Sequence, residues 1–121
     1  MELTIYQLDA FAERLFTGNP AAVCPLQRWL PEPVMQAVAA ENNLSETAFF
    51  AREEQGWRIR WFTPVREVAL CGHATLASAY VYFQHIEPEA DEVEFQSLSG
   101  PLKVSRDGGL LTLDFPAQPP E

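Results

Sequence analysis

The stretch "LCGHATLASAYVYFQ", residues 70–84, decides how the rest of the chain is read. It opens with reactive side chains, Cys71, His73 and Thr75, around Gly72. No Asp, Glu, Lys or Arg occurs between Val68 and Ile86. Large apolar residues stand at Leu76, Tyr80, Val81, Tyr82 and Phe83, and small ones at Ala74, Ala77, Ser78 and Ala79. Strict alternation is absent and the run is long for a strand, so residues 72 to about 85 are expected to be helical. A helix that is apolar all round is a buried one, and the remaining segments have to supply its walls.

Those segments read mainly as strands. Leu3–Leu8 alternates, and Ala21–Cys24 follows a turn at Gly18, Asn19 and Pro20. "SETAFFA" and "GWRIRWFT" are two more, joined by a hairpin turn at Gln55-Gly56. In the second, Trp57, Ile59 and Trp61 share one face while Arg58 and Arg60 share the other. "EVEFQSL", "GPLKVSR" and "GLLTLDF" close the series, with turns at Ser99-Gly100 and Asp107-Gly108-Gly109. Between the early strands, "LPEPVMQAVAAENN" reads as a peripheral helix. Its prolines fit only the first turn, Leu30, Val34 and Val38 form a stripe, and Asn42 and Asn43 mark the exit. Strands grouped as hairpins around one buried helix point to an α+β fold, a curved antiparallel-rich sheet wrapped around the central helix. Residues 1–116 form one domain, and the proline-rich end, 117–121, reads as a linker or loose end.

Composition narrows the function. The 121 residues carry a formal net charge of -9, and the eight basic residues are scattered. That argues against binding nucleic acid, and it slows rather than steers an anionic substrate, so any anion site must be local. The uncharged stretch is too polar at its ends for a membrane span. Two cysteines do not make a disulfide framework, and no signal peptide is evident. The expectation is a soluble, reduced, cytoplasmic protein.

Three places could carry chemistry. Glu46, in "NLSETAFF", shares a strand face with Ala48 and Phe50, while Thr47 and Phe49 occupy the other. A carboxylate at the head of a strand apolar on both faces loses water, which raises its pKa and suits general acid/base work. It could equally sit at a frayed end in solvent. In "CGHAT", the first amides of the helix, from Gly72 to Ala74, lack intrahelical acceptors and face the positive dipole end, a good anion holder. His73 can donate to a ligand or be a satisfied interior histidine. Cys71 is either a thiol depressed by the helix start or a small buried hydrophobe. Asn19 can offer its amide to a ligand or stabilise its own turn. No pair has zinc-ligand spacing, and no phosphate loop, dinucleotide motif or nucleophile elbow occurs, so no metal and no cofactor are expected.

"FTGNPAAVCPL", "NNLSETAFF", "RWFTPVREVALCGHATLASA" and "SGPLKVSRDGGLLTLDFP", in this order, resemble the N-terminal half of PhzF-like proteins of phenazine biosynthesis, grouped with diaminopimelate epimerase among cofactor-independent isomerases. The resemblance implies a half-molecule of sheet wrapped around one helix. It implies Glu46 as general acid/base on a small carboxylic-acid substrate, with Gly72, His73 and Ala74 in the pocket and His73 assisting. Asn19 and Ser45 fall at motif positions lining the same pocket. Cys71 stands where epimerase and racemase relatives carry a catalytic thiol, which leaves a thiol-based racemase as an alternative, beside a binding module without turnover. Family members have two such halves facing one site. The expected partner is therefore a second PhzF-like half, in a longer chain or in a homodimer.

Overall fold

The computed structural model describes residues 3–8, 21–54, 56–108 and 110–114. The turn containing Asn19, Gln55 of the hairpin turn, Gly109 and the end from residue 115 lie outside the described residues. In chain order the elements are β1 (Tyr6–Leu8), β2 (Ala21–Leu26), α1 (Glu32–Asn42), β3 (Glu46–Glu53), β4 (Gly56–Phe62), β5 (Glu67–Val68), α2 (Gly72–Val81), a π-helical turn (Tyr82–Ile86), β6 (Glu92–Ser97), β7 (Gly100–Asp107) and β8 (Leu110–Asp114).

The strands form one mixed sheet ordered β1-β2-β3-β4-β6-β7-β8, with β5 paired to β4. Helix α2 touches β2 and β3 near one end of that order and β8 at the other, so the sheet curls around it. Two strand pairs, β2 with β3 and β4 with β6, are parallel, each bridged by one helix. Their helices lie on opposite faces, as right-handed crossovers require. Both steps move in the same direction across the sheet, but β4 runs antiparallel to β3, and reversing the strand reverses the face.

Two apolar cores result. On the concave side, α2 residues Ala74, Leu76, Ala77, Ala79 and Val81 pack with Ala21, Val23, Ala48, Phe50, Ile59 and Trp61. On the other, Met35 and Ala39 of α1 pack with Cys24, Phe49, Ala51 and Phe62. This is why β3 is apolar on both faces: alternate residues serve different helices. The expected face of β4, with Trp57, Ile59 and Trp61 together, is found against α2.

Three expectations are corrected and one element is added. Leu3–Ile5 is not strand; pairing begins at Tyr6, opposite Val23. The core stripe of α1 is Met35 and Ala39 with Val38 and Leu30 beside them, whereas Val34 is exposed. The α-helix of residues 72–85 ends at Val81, and a π-helical turn carries the chain to Ile86. The two-residue strand β5 is too short to leave a periodic pattern. Asn43 does end α1, with φ 54° and its amide donating to the Ala39 carbonyl.

Candidate active site

Sheet register brings Glu46 and the start of α2 together. Glu46 is the first residue of β3, and its neighbour Thr47 pairs with Phe62, the last residue of β4. A tight turn over Thr63–Arg66 then returns the chain, so that Glu67 pairs with Phe62 and Val68 with Trp61. Three residues on, the chain reaches Cys71, the N-cap of α2. The Arg60 guanidinium fastens this return. It donates to both oxygens of Glu67, at 2.7 and 2.8 Å, and to Glu32 of α1 at 3.0 Å. On the far side, the Asn42 amide donates to the Thr47 hydroxyl at 3.2 Å, tying the exit of α1 to the head of β3.

The first turn of α2 is anchored from below. The Thr75 hydroxyl donates to the Cys71 carbonyl at 2.8 Å and accepts from the Trp61 indole N–H at 3.1 Å, all buried. The Ser78 hydroxyl donates to the Ala74 carbonyl. The Ser99 hydroxyl, in the β6–β7 turn, donates to the Ala69 carbonyl at 2.8 Å and holds the approach to Cys71. Motif reading missed these anchors. The signal was present in Thr75, a hydroxyl four positions after Cys71, the spacing at which it can reach back to a helical carbonyl.

Three of the expected residues meet here. His73 Nε2 lies 2.7 Å from Glu46 Oε1, with the two side chains 24% and 19% exposed, so the carboxylate is not at a solvent-frayed end. Oε1 is shut off from solvent and, among the described residues, accepts no hydrogen bond that meets the angular criteria. Cys71 Sγ lies 3.6 Å from Nδ1 and 3.9 Å from Nε2 of the same ring. A sulfur, a ring nitrogen and a carboxylate oxygen thus fall within 4.8 Å of one another, donors that could hold a metal ion. Burial pushes the Cys71 thiol up to about 12. The His73 and Ala74 amides lower it only in part, and the Glu46 carboxylate beside it raises it further. Of the two readings of Cys71, burial therefore outweighs the helix start. Gly72 and Ala74 belong to the same first turn. Ser45 is half-buried and precedes Glu46 directly, whereas Asn19 lies outside the described residues.

Residues 8–119 match the PhzC-PhzF family, phenazine biosynthesis-like protein. The chain belongs to that family. It is 56% identical over 99% of its length to an uncharacterized isomerase of Pseudomonas aeruginosa, of which it covers 46%. The crystal structure of a PhzF family protein from Enterococcus faecalis superposes with a TM-score of 0.81 at 55% identity, covering 89% of this chain and 42% of that one. A predicted epimerase of P. aeruginosa superposes with a TM-score of 0.72 at 29% identity, covering 91% and 41%. The chain thus spans about half the length of the PhzF-family relatives it matches. Among the described residues no helix is long and apolar enough to cross a membrane.

Proposed function

We propose that the chain supplies one half of the active site of a cofactor-independent isomerase, in which Glu46 removes a proton from a carbon of a small carboxylic acid and returns it elsewhere on the substrate. The observation that carries this reading is the Glu46 carboxylate held 2.7 Å from His73 Nε2 at the first turn of a buried helix. A carboxylate screened from water can serve as the base, and the imidazole beside it is a second site for the proton. The first turn of α2, whose His73 and Ala74 amides also reach the Cys71 sulfur, offers its positive end to the substrate carboxylate, a local attraction in a chain of net charge -9. Ser45, directly before Glu46, is the other pocket position among the described residues. Asn19 precedes Ala21 by two positions in sequence, and Ala21 pairs with Glu46. Names of relatives, an isomerase and a predicted epimerase, support the same reaction class.

The other wall of the site is a second half, in the same chain as in the longer relatives or in a second copy. Closing it excludes water and strengthens each electrostatic contact inside. The thiol-based alternative has the proximity of Cys71 in its favour. A thiol pushed up to about 12, however, holds little thiolate at neutral pH and makes a poor base.

The test is solvent exchange. The chain, joined to the remaining portion of a PhzF-family relative, is incubated in deuterated water with small carboxylic acids. Deuterium should enter at carbon, and Glu46→Gln should slow entry by about a hundredfold or more. Exchange that survives Glu46→Gln unchanged would falsify the assignment. Exchange abolished by Cys71→Ala alone would move the step to the thiol.

A further inference from the structure

We propose that Glu46, Cys71 and His73 form a binding site for a thiophilic divalent cation of the zinc type. The spacing rules that exclude zinc from the sequence count cysteines and histidines within one motif. The fold adds a third donor from another strand. Sulfur, imidazole nitrogen and carboxylate oxygen is a set that zinc accepts, with three protein ligands and a fourth position left open.

The distances suit it. Zinc bonds of about 2.0–2.3 Å at tetrahedral angles set neighbouring donors roughly 3.3–3.6 Å apart. An ion beside Glu46 would take Nε2, from which Cys71 Sγ lies 3.9 Å, and the three donor atoms already fall within 4.8 Å of one another, so the sulfur has to close in by side-chain rotation. The Glu46 Oε1 to Nε2 contact, at 2.7 Å, has to open by less than about 1 Å, which a carboxylate rotation provides. All three donors stand on fixed backbone, the first residue of β3 and the N-cap and first turn of α2, so little order has to be gained on binding. Oε1, buried and without a hydrogen-bond donor among the described residues, gains a partner in the ion. Binding breaks the Cys71 S–H bond and releases that proton to solvent. The thiolate and the carboxylate then offset the two positive charges, and nothing is oxidised or reduced.

Binding does not depend on the proposed isomerisation, but one consequence does. An ion held on Glu46 and His73 removes the lone pairs that proton transfer needs, so zinc would act as an inhibitor rather than a cofactor.

The protein is titrated with Co2+ and followed by absorption, and Zn2+ affinity is measured by competition with a chromophoric chelator. One equivalent of Co2+ should give a thiolate-to-cobalt charge-transfer band in the near ultraviolet. The band should vanish in Cys71→Ser and persist in Cys24→Ser, whose sulfur lies in the other core. Glu46→Gln and His73→Gln should weaken Zn2+ by more than about tenfold, the scale at which even outer-shell partners act. Mg2+, which prefers oxygen donors, should not compete. Circular dichroism establishes that each variant is folded; if Cys71→Ser is not, Glu46→Gln and His73→Gln decide. A missing charge-transfer band, or Zn2+ affinity unchanged in a folded Cys71→Ser, overturns the site. A band together with solvent exchange unaffected by saturating Zn2+ leaves the site standing and refutes proton transfer at these atoms.

Discussion

Thr75→Val tests whether the first turn of α2 is held by its hydrogen bonds or by its packing. The Thr75 hydroxyl sits between the Trp61 indole N–H at 3.1 Å and the Cys71 carbonyl at 2.8 Å, with Thr75 at 0% and Trp61 at 1% exposure. Valine matches the shape and removes the hydroxyl. The Cys71 carbonyl keeps a partner, because the Thr75 amide also donates to it at 3.1 Å. The indole N–H keeps none and has no route to water. One buried orphan donor costs about 1–3 kcal/mol. Thr75→Ser is the counterpart: it keeps the hydroxyl and loses a methyl, about 1 kcal/mol. For a domain of this size each kcal/mol moves the thermal midpoint by about 4 °C. The valine variant should therefore lose about 4–12 °C, and the serine variant about 4 °C. Thermal and urea unfolding followed by far-ultraviolet circular dichroism read both. A valine variant as stable as the unsubstituted chain refutes the hydrogen-bond account. Because the Cys71 carbonyl is part of the network, valine should also slow the proposed exchange reaction even below its melting range.

Four further outcomes follow from other features of the structure. Gly56 has φ +126° and open space where a methyl would stand, so Gly56→Ala should cost about 1–3 kcal/mol by backbone strain alone, whereas Gly108, at φ +63°, should accept Asn with little loss; equal urea midpoints for the two variants would contradict this. Burial pushes the Cys24 and Cys71 thiols up to about 12, so iodoacetamide near pH 8 should modify the native chain far more slowly than the urea-unfolded one. A folded thiol value above the unfolded one contributes stability below about pH 8.5 and loses it as pH rises toward 12, so the unfolding midpoint should fall across that window, less steeply in Cys24→Ala. Around Arg60, Glu32→Gln should change stability by less than about 0.5 kcal/mol, because the Glu32 side chain is 64% exposed; Glu67→Gln, at 18%, should cost more, and denaturant titration ranks them.

Much of the architecture was legible because burial writes itself into residue choice. The run from Leu76 to Phe83 has no polar side apart from Ser78, and only a helix enclosed by its own sheet tolerates that. The hairpins of β3–β4, β6–β7 and β7–β8 followed from turn residues between apolar runs, and the register places Gly56 and Gly100 at positive φ where the sequence puts them. The sheet's mixed character was not legible. The parallel pairing of β2 with β3 and of β4 with β6 is set by long crossovers, and no local pattern encodes which strand a crossover returns beside. The site was legible in its parts. Glu46 stands out as a charge at the head of an apolar strand, and His73 as an imidazole at a helix start. Their meeting depends on β5, two residues long, which turns the chain back along β4 and carries no signal of its own.

The site also depends on strand parity. Glu46 faces α2 because Ala48 and Phe50 do, while Thr47, Phe49 and Ala51 belong to the other side. Both faces of β3 are apolar, so hydrophobic pattern alone does not exclude a slip by one residue, which would carry Glu46 to the face of α1 and away from His73. What excludes it is the difference between the two cores. Phe50 meets Trp57 and Phe95, with ring centroids 5.6 and 5.3 Å away, in a space shaped by the small residues of α2. Phe49 meets Phe62 edge-on at 5.5 Å, beneath Met35 and Ala39. Exchanging the two positions would place Ala48 and Ala51 where neither core fits them, and close-packed interiors resist such changes of volume. The Asn42 amide on the Thr47 hydroxyl marks the same parity at the strand's first turn, directly beside Glu46. The orientation of the proposed base is therefore not a local property of the "SET" motif. It is held by two aromatic rings, Phe49 and Phe50, that sort themselves to opposite sides of one strand.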